Sequence, residues 1–320
     1  MTRIAAGLLA LLFGATPTHA LETGPYKDVT RGLDRSTLRI GLPEWMLPSQ
    51  LLHWAFATGE CGQERWGDVV DTEGFARANV AAAQAAGQRY VISTGGALGV
   101  FTCGSDEGMK RFVERYDSAL LVGLDFDIEG RQTPAQIRSL VQRLRALQRT
   151  RPELRLSFTL ATHAGTDARR RGLNATGRQV LQAVRAAGLR HWVINLMAMN
   201  YGAADARWCV VSEGRCHMGR SALQAVHNLY RRHRVPLSRI ALTVMPGEND
   251  VAGNVFTTDD AAHVAREARR LGLHGLYHWS IDRDQPCATG EPRVSPHCHG
   301  LPGLEPGHYG RLAAHHGGTP

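Results

Sequence analysis

The run Leu121-Val122-Gly123-Leu124-Asp125-Phe126-Asp127-Ile128-Glu129-Gly130 decides the architecture. Acids alternate in it with large apolar residues, which is the period of an extended strand. On a strand, Asp125, Asp127 and Glu129 share one face, about 6.5–7 Å apart per step, and Leu124, Phe126 and Ile128 share the other. The apolar face needs covering helices. The acidic face needs proton sharing or hydrogen bonds, since neighbouring buried carboxylates are otherwise costly. A strand of a closed barrel meets both demands, with the acids pointing inward and Glu129 at the C-terminal mouth. Repulsion among the three should keep one proton in the cluster near neutral pH, as a general acid requires. The blander alternative, a polar strand end with solvated acids, fits poorly with so apolar a strand.

Outward from this segment, eight strand-like runs are expected in all, near residues 26–30, 51–58, 89–94, 120–129, 154–161, 192–199, 240–245 and 275–280. Several are continuous apolar runs, as strands covered on both faces are. Helical signals fall between them. Thr133-Pro134-Ala135-Gln136 offers an N-cap, a proline at the first helical position and a capping-box glutamine. Ile137, Leu140, Val141, Leu144 and Leu147 then recur at helical spacing. Thr257 opens a second helix, and residues 75–86, 177–187 and 221–230 behave similarly. Eight strand–helix units suit an α/β fold, a single (β/α)8 TIM barrel over residues 21–314. The competing doubly wound open sheet lacks support, since neither G-x-G-x-x-G nor G-x-x-x-x-G-K-[ST] occurs.

The chain has 320 residues, 43% of them hydrophobic, enough for a sizeable core. Residues 1–20 read as a signal peptide: Arg3, an apolar stretch too short to span a bilayer comfortably, and Thr18-His19-Ala20. Its removal lowers the net charge from +8 to +7. A soluble secreted protein is expected, periplasmic or extracellular, monomeric and unattached to membrane once the signal is cleaved. No arginine block interleaved with aromatics occurs, so nucleic acid is not an expected partner. Six cysteines in an exported chain favour disulfides. The short spacings suggest Cys209–Cys216 and Cys287–Cys298, which leaves Cys61–Cys103. Residues 315–320 are expected to form a flexible tail after a short helix around 309–314. No metal or cofactor is expected, because His163, His278, His297 and His299 lack a convincing ligand spacing.

The acid strand resembles the D-G-x-D-x-D-x-E signature of glycoside hydrolase family 18, the chitinases and their relatives, with Val122 in place of the first aspartate. Four other segments resemble that family in the same order. Ser93-Thr94-Gly95-Gly96 is similar to its S-x-G-G on strand three, and residues 195–202, including Met197-Ala198-Met199-Asn200-Tyr201-Gly202, to its strand-six M-x-M-D-Y-G. Residues 243–250 are similar to its strand-seven end, and His278-Trp279-Ser280 to its strand-eight tryptophan segment. The resemblance implies substrate-assisted, retaining hydrolysis of β-1,4-linked N-acetylglucosamine polymers, chitin or chitooligosaccharides. It makes Glu129 the acid/base, Asp127 the group that orients the substrate acetamido, and Asp125 its proton-sharing support. It assigns substrate binding to Trp279, Tyr201, Asn200, Met197, Met199, Gly95, Gly96 and Asn249. Asn200 stands where an aspartate is common and cannot ionise. An endo-β-N-acetylglucosaminidase acting on N-glycans or wall glycans is a second reading, and a lectin-like barrel with little turnover a third.

Overall fold

The computed structural model describes residues 20–169 and 171–317. Eight parallel strands close on themselves: β1 (Glu22–Asp28), β2 (Leu52–Glu60), β3 (Tyr90–Gly95), β4 (Leu121–Asp127), β5 (Arg155–Ala161), β6 (Trp192–Ala198), β7 (Ile240–Val244) and β8 (Gly275–Trp279). Tyr26 of β1 pairs with Trp279 on one side and His53 on the other, which shuts the cylinder. This is the expected (β/α)8 barrel.

Seven α-helices are found among the described residues: α1 (Thr72–Ala86), α2 (Asp106–Arg115), α3 (Pro134–Thr150), α4 (Ala175–Ala186), α5 (Met218–His233), α6 (Thr258–Arg270) and α7 (His308–Gly317). The expectation of eight complete strand–helix units is therefore corrected. Between β1 and β2 the chain, broken by Gly32, Gly41, Pro43 and Pro48, runs as a loop. That loop packs Leu33, Leu38, Ile40 and Met46 on the core, so the wall is covered without a helix. Helix α2, not singled out above, is capped by Ser105 and buries Met109, Phe112 and Val113.

Local signals elsewhere act as read. Thr133 and Gln136 make a reciprocal capping box on α3, and Ile137, Leu140, Val141, Leu144 and Leu147 are its buried stripe. Thr257 and Asp260 do the same on α6. Strand β1 begins four residues earlier than expected, at Glu22. Gly24 permits it: a Cβ there would fall 1.9 Å from the carbonyl oxygen of Leu51. Helix α7 continues to Gly317, so residues 315–317 of the expected tail are helical, and 318–320 lie outside the described residues. The expected signal peptide also lies outside them, except for Ala20. No helix among the described residues is long and apolar enough to cross a membrane.

The cysteines pair as Cys61–Cys103, Cys209–Cys216 and Cys287–Cys298, as the spacings suggested. Inside the barrel, Leu51, Ala55, Val91, Val193, Ala241 and Tyr277 form an apolar plug that Val122 joins. His53 lies in this interior, stacked on Tyr26 at 4.4 Å. Burial lowers its pKa to about 3, and that of His278 to about 4, against 6.5 when unfolded. Both contribute stability that is present above pH 6.5 and is lost as pH falls toward the folded values. Asp284, raised by burial to about 6, acts in the opposite direction between its unfolded value and 6. We expect the His53 imidazole to stay neutral in the native state to about pH 3. NMR titration of its ring nitrogens checks this, and protonation near pH 6 in the folded protein would refute it.

Candidate active site

Parallel register assembles the acid site. On β3, Ser93 pairs with Asp125 and Gly95 with Asp127; on β5, Ser157 pairs with Asp125 and Thr159 with Asp127. Between Tyr90 and Val91 the register with β4 shifts by one residue at Val122. Asp125 and Asp127 face the interior, while Leu124, Phe126 and Ile128 join the core under the helices.

Asp125 is fully buried and accepts four hydroxyl hydrogen bonds: Tyr26 at 3.0 Å and Ser93 at 2.7 Å on Oδ2, Ser157 at 2.6 Å and Thr159 at 2.8 Å on Oδ1. Burial pushes its pKa up, and these hydroxyls pull it back. All four bonds come from hydroxyls, which form a cage around the Asp125 carboxyl. The cage extends to Asn195, whose amide donates to Tyr26, Thr159 and Thr243 at 2.7–2.9 Å.

Asp127 has no such help. Burial raises its pKa well above the usual value, and the charges of Glu129 and Asp125 add to the rise. Its buried Oδ1 has no hydrogen-bond partner. Glu129 lies two residues beyond the end of β4 and is exposed at the mouth. Partial desolvation raises its pKa, and the nearby Arg131 cation opposes this.

Above these acids lies a cavity of about 620 Å³. Trp279, Tyr201, Asn200, Met197 and Met199 line it with Asp127 and Glu129, so the structure brings together most of the residues singled out above. Trp279 stacks on Phe56 with ring centroids 5.1 Å apart, and together they make an aromatic floor. Each flanks a cis peptide bond, Ala55–Phe56 and Trp279–Ser280. The Tyr201 hydroxyl is buried with no partner.

Three residues sit elsewhere. Gly95 and Gly96 are not in the cavity wall: they let β3 close on the end of β4. A Cβ on Gly95 would lie 2.1 Å from the Asp127 carbonyl oxygen, to which the Gly96 N–H donates at 3.3 Å. Asn249 is fully buried and donates its amide to the carbonyls of Met245 and Gly247, both at 3.1 Å. It pins the seventh loop, and its neighbour Asp250 faces the cavity instead. Asp250 in turn accepts from Arg283 at 2.9 Å and from Asn200 at 3.3 Å. An aspartate at 200 would oppose the Asp250 carboxylate, whereas the asparagine donates to it.

Phe56, Ser157, Thr159, Thr243 and Met245 were not singled out from sequence. The signal for Ser157 and Thr159 was present: they alternate with Leu156, Phe158 and Leu160 as the acids alternate on β4. Among the described residues the one cluster with ligand-like spacing is Glu60 with Cys61 and Cys103, and it contains a disulfide pair.

The chain is similar to a probable bifunctional chitinase/lysozyme of Escherichia coli (strain K12), with 30% identity over 259 residues, 74% of this chain and 27% of that protein. It is also similar to endochitinase 11 of Metarhizium anisopliae, with 28% identity over 73% of this chain and 47% of that one. The chain thus spans about a quarter and about half of the lengths of these curated relatives. A solved structure from Pyrococcus furiosus, active domain 2 of a thermostable chitinase with catalytic-site mutations and chito-oligosaccharides bound, superposes with a TM-score of 0.69 at 22% identity. That match covers 94% of this chain and 97% of the other. No protein-family model matches the chain.

Proposed function

We propose, from this chain's membership of the chitinase-like glycoside hydrolases of family 18, that it hydrolyses β-1,4-linked N-acetylglucosamine chains with retention of anomeric configuration. The observation that carries this reading is Asp127, which lines the cavity together with Glu129 and whose buried Oδ1 has no hydrogen-bond partner. A retaining glycosidase with a carboxylate nucleophile needs that second acid ionised. Burial pushes the Asp127 pKa up, against that role, and so suits a reaction in which the substrate supplies the nucleophile.

In that reaction Glu129 gives its proton to the leaving glycosidic oxygen. The 2-acetamido oxygen attacks the anomeric carbon as the glycosidic bond breaks, forming an oxazolinium ion. The unpartnered Oδ1 of Asp127 accepts the acetamido N–H and orients it. Asp125, held by its four hydroxyls, keeps negative potential beneath the developing cation. The Glu129 carboxylate then takes a proton from the water that opens the ring. Met197, Met199 and Met245 offer the acetyl methyl an apolar wall, and Trp279 and Phe56 offer the pyranose a stacking face. The three disulfides support export, to the periplasm or the medium.

Cleavage of chitotetraose followed by proton NMR is expected to release the β-anomer first. An α-anomer first would refute the substrate-assisted reading. Mass-spectrometric product screens on chitin, N-glycoprotein and wall glycan separate the polymers, and inactivity on all three would sink the hydrolase itself.

A further inference from the structure

Charge is spread unevenly along the chain. Residues 168–247 hold 13 arginines and only two acids, Asp205 and Glu213, a net +11 against +8 for the whole chain. All other residues together therefore carry −3. Helices α4 and α5 fall in this segment and contain no acid, and α5 ends on Arg231, Arg232 and His233. An asymmetry of this kind is the electrostatic mark of an anionic partner.

The fold gathers part of this charge in one place. The loop after β5 packs on α5, where the Asn228 amide donates to the carbonyls of Gly165 at 2.9 Å and Arg171 at 2.7 Å. Arg232 of α5 donates to the Arg169 carbonyl of that loop, and Arg185 of α4 donates to the His233 carbonyl. Arg178 of α4 donates to the Leu173 carbonyl at 3.0 Å. The His233 pKa is lowered by burial first and then by the Arg232, Arg185 and Arg178 cations. That of His163 is lowered by burial and then by Arg171 and Arg178. Arg178 acts on both rings, so the loop and the two helices share one positive field. None of these four arginines ion-pairs with a carboxylate among the described residues, and Arg178, Arg185 and Arg232 are exposed. Stability does not ask for this arrangement, because like charges gathered without counter-charges repel. Each of the three spends one N–H on a backbone carbonyl, which holds the guanidinium and leaves further donors for a ligand.

We infer that the face shared by α4, α5 and the loop after β5 binds a linear polyanion whose charges are phosphodiesters. Guanidiniums that arrive from two helices suit a tetrahedral phosphate, whose oxygens accept from several directions. A planar carboxylate is already filled by one guanidinium fork. A chain carrying phosphates in series can meet all three exposed arginines and release the counterions it had held. A bilayer fits less well, since Tyr230 is the one large hydrophobic side chain exposed on either helix and little could be buried among acyl chains. None of the three arginines lines the cavity, so a bound polymer leaves the acid site open. The inference stands apart from the glycosidase reading, and failure of either leaves the other in place.

The test is calorimetric titration of the whole protein with poly(glycerol phosphate) over a range of salt concentrations. Arg178→Gln, Arg185→Gln and Arg232→Gln together are expected to weaken binding at least about tenfold at ~0.1 M salt. They should also flatten the slope of log K against log salt by about two. A second triple variant, Arg77→Gln, Arg149→Gln and Arg269→Gln, removes the same charge from exposed positions on α1, α3 and α6 and should bind as the parent does. Equal losses in the two variants would reduce the effect to net charge and overturn the inference, as would a parent protein that does not bind the polymer. Polygalacturonate of matched charge binding as tightly would overturn the choice of phosphate. Phosphatidylglycerol vesicles bound in place of the polymer would overturn the choice of a linear chain. If the first triple variant does not fold, Arg178→Gln alone is compared with Arg77→Gln alone, and equal affinities overturn the inference.

Discussion

Glu129→Gln is expected to lower kcat on chitooligosaccharides by about 10²–10⁴-fold, the usual worth of a positioned general acid. Ligand affinity should change little, because the amide keeps the shape of the carboxyl at an exposed position and Asp127, Trp279 and the methionines remain in place. Stopped kinetics with unchanged binding would separate a lost proton donor from a damaged site. Retention of more than a tenth of the wild-type kcat would remove Glu129 from its assigned role.

The same residue sets the alkaline limb of the pH profile. Glu129 must be protonated to act first as acid, and partial burial raises its pKa above the ordinary carboxyl value. Activity should therefore extend to higher pH than a solvated glutamate would allow, then fall as pH rises through the Glu129 pKa. Arg131 opposes this rise, and its guanidinium also donates to the Leu98 carbonyl at 2.9 Å. Arg131→Gln should move the alkaline limb to higher pH.

Glu22→Ala is expected to cost about 3 kcal/mol of stability, the lower end of what stranding a buried charge costs. Glu22 enters the base of the barrel at the start of β1 and ion-pairs with Arg155 of β5. It also accepts from the Tyr277 hydroxyl at 2.7 Å and from Arg89 at 3.1 Å. These partners hold its pKa at about 2 despite burial. Its side chain is 17% exposed and that of Arg155 12%, so the truncation leaves a guanidinium largely out of water and without its carboxylate. Urea unfolding at neutral pH measures the loss, and a cost below about 1 kcal/mol would show that water reaches the base of the barrel. Replacing both partners, as Glu22→Leu with Arg155→Met, should cost less than Glu22→Ala alone, because no charge is then stranded. The pair's sign with pH follows from the lowered value: its contribution is present above the unfolded glutamate pKa and is lost as pH falls toward 2.

Alternation and capping were enough to reveal much of this molecule. The period of Asp125, Asp127 and Glu129 requires one acidic and one apolar face whatever the neighbours are, because side chains on a strand alternate. The capping boxes at Thr133 and Thr257 are local chemistry, complete within four residues. The short cysteine loops close for a similar reason, since little chain entropy opposes pairing over separations of 7 and 11 residues.

Tertiary structure decided what depends on register and loop course. The hydroxyl cage of Asp125 draws on β1, β3 and β5, and no feature of those segments alone reports that they meet at one carboxylate. It is the cage that divides the acids into a supported Asp125 and an Asp127 whose Oδ1 is unpartnered, a difference that equal spacing along β4 conceals. Asn249, expected to bind substrate, is turned inward to satisfy buried carbonyls, while its neighbour Asp250 lines the cavity. The loop that replaces a first helix belongs to the same class, since its packing on the core depends on which distant segments the closed barrel brings side by side.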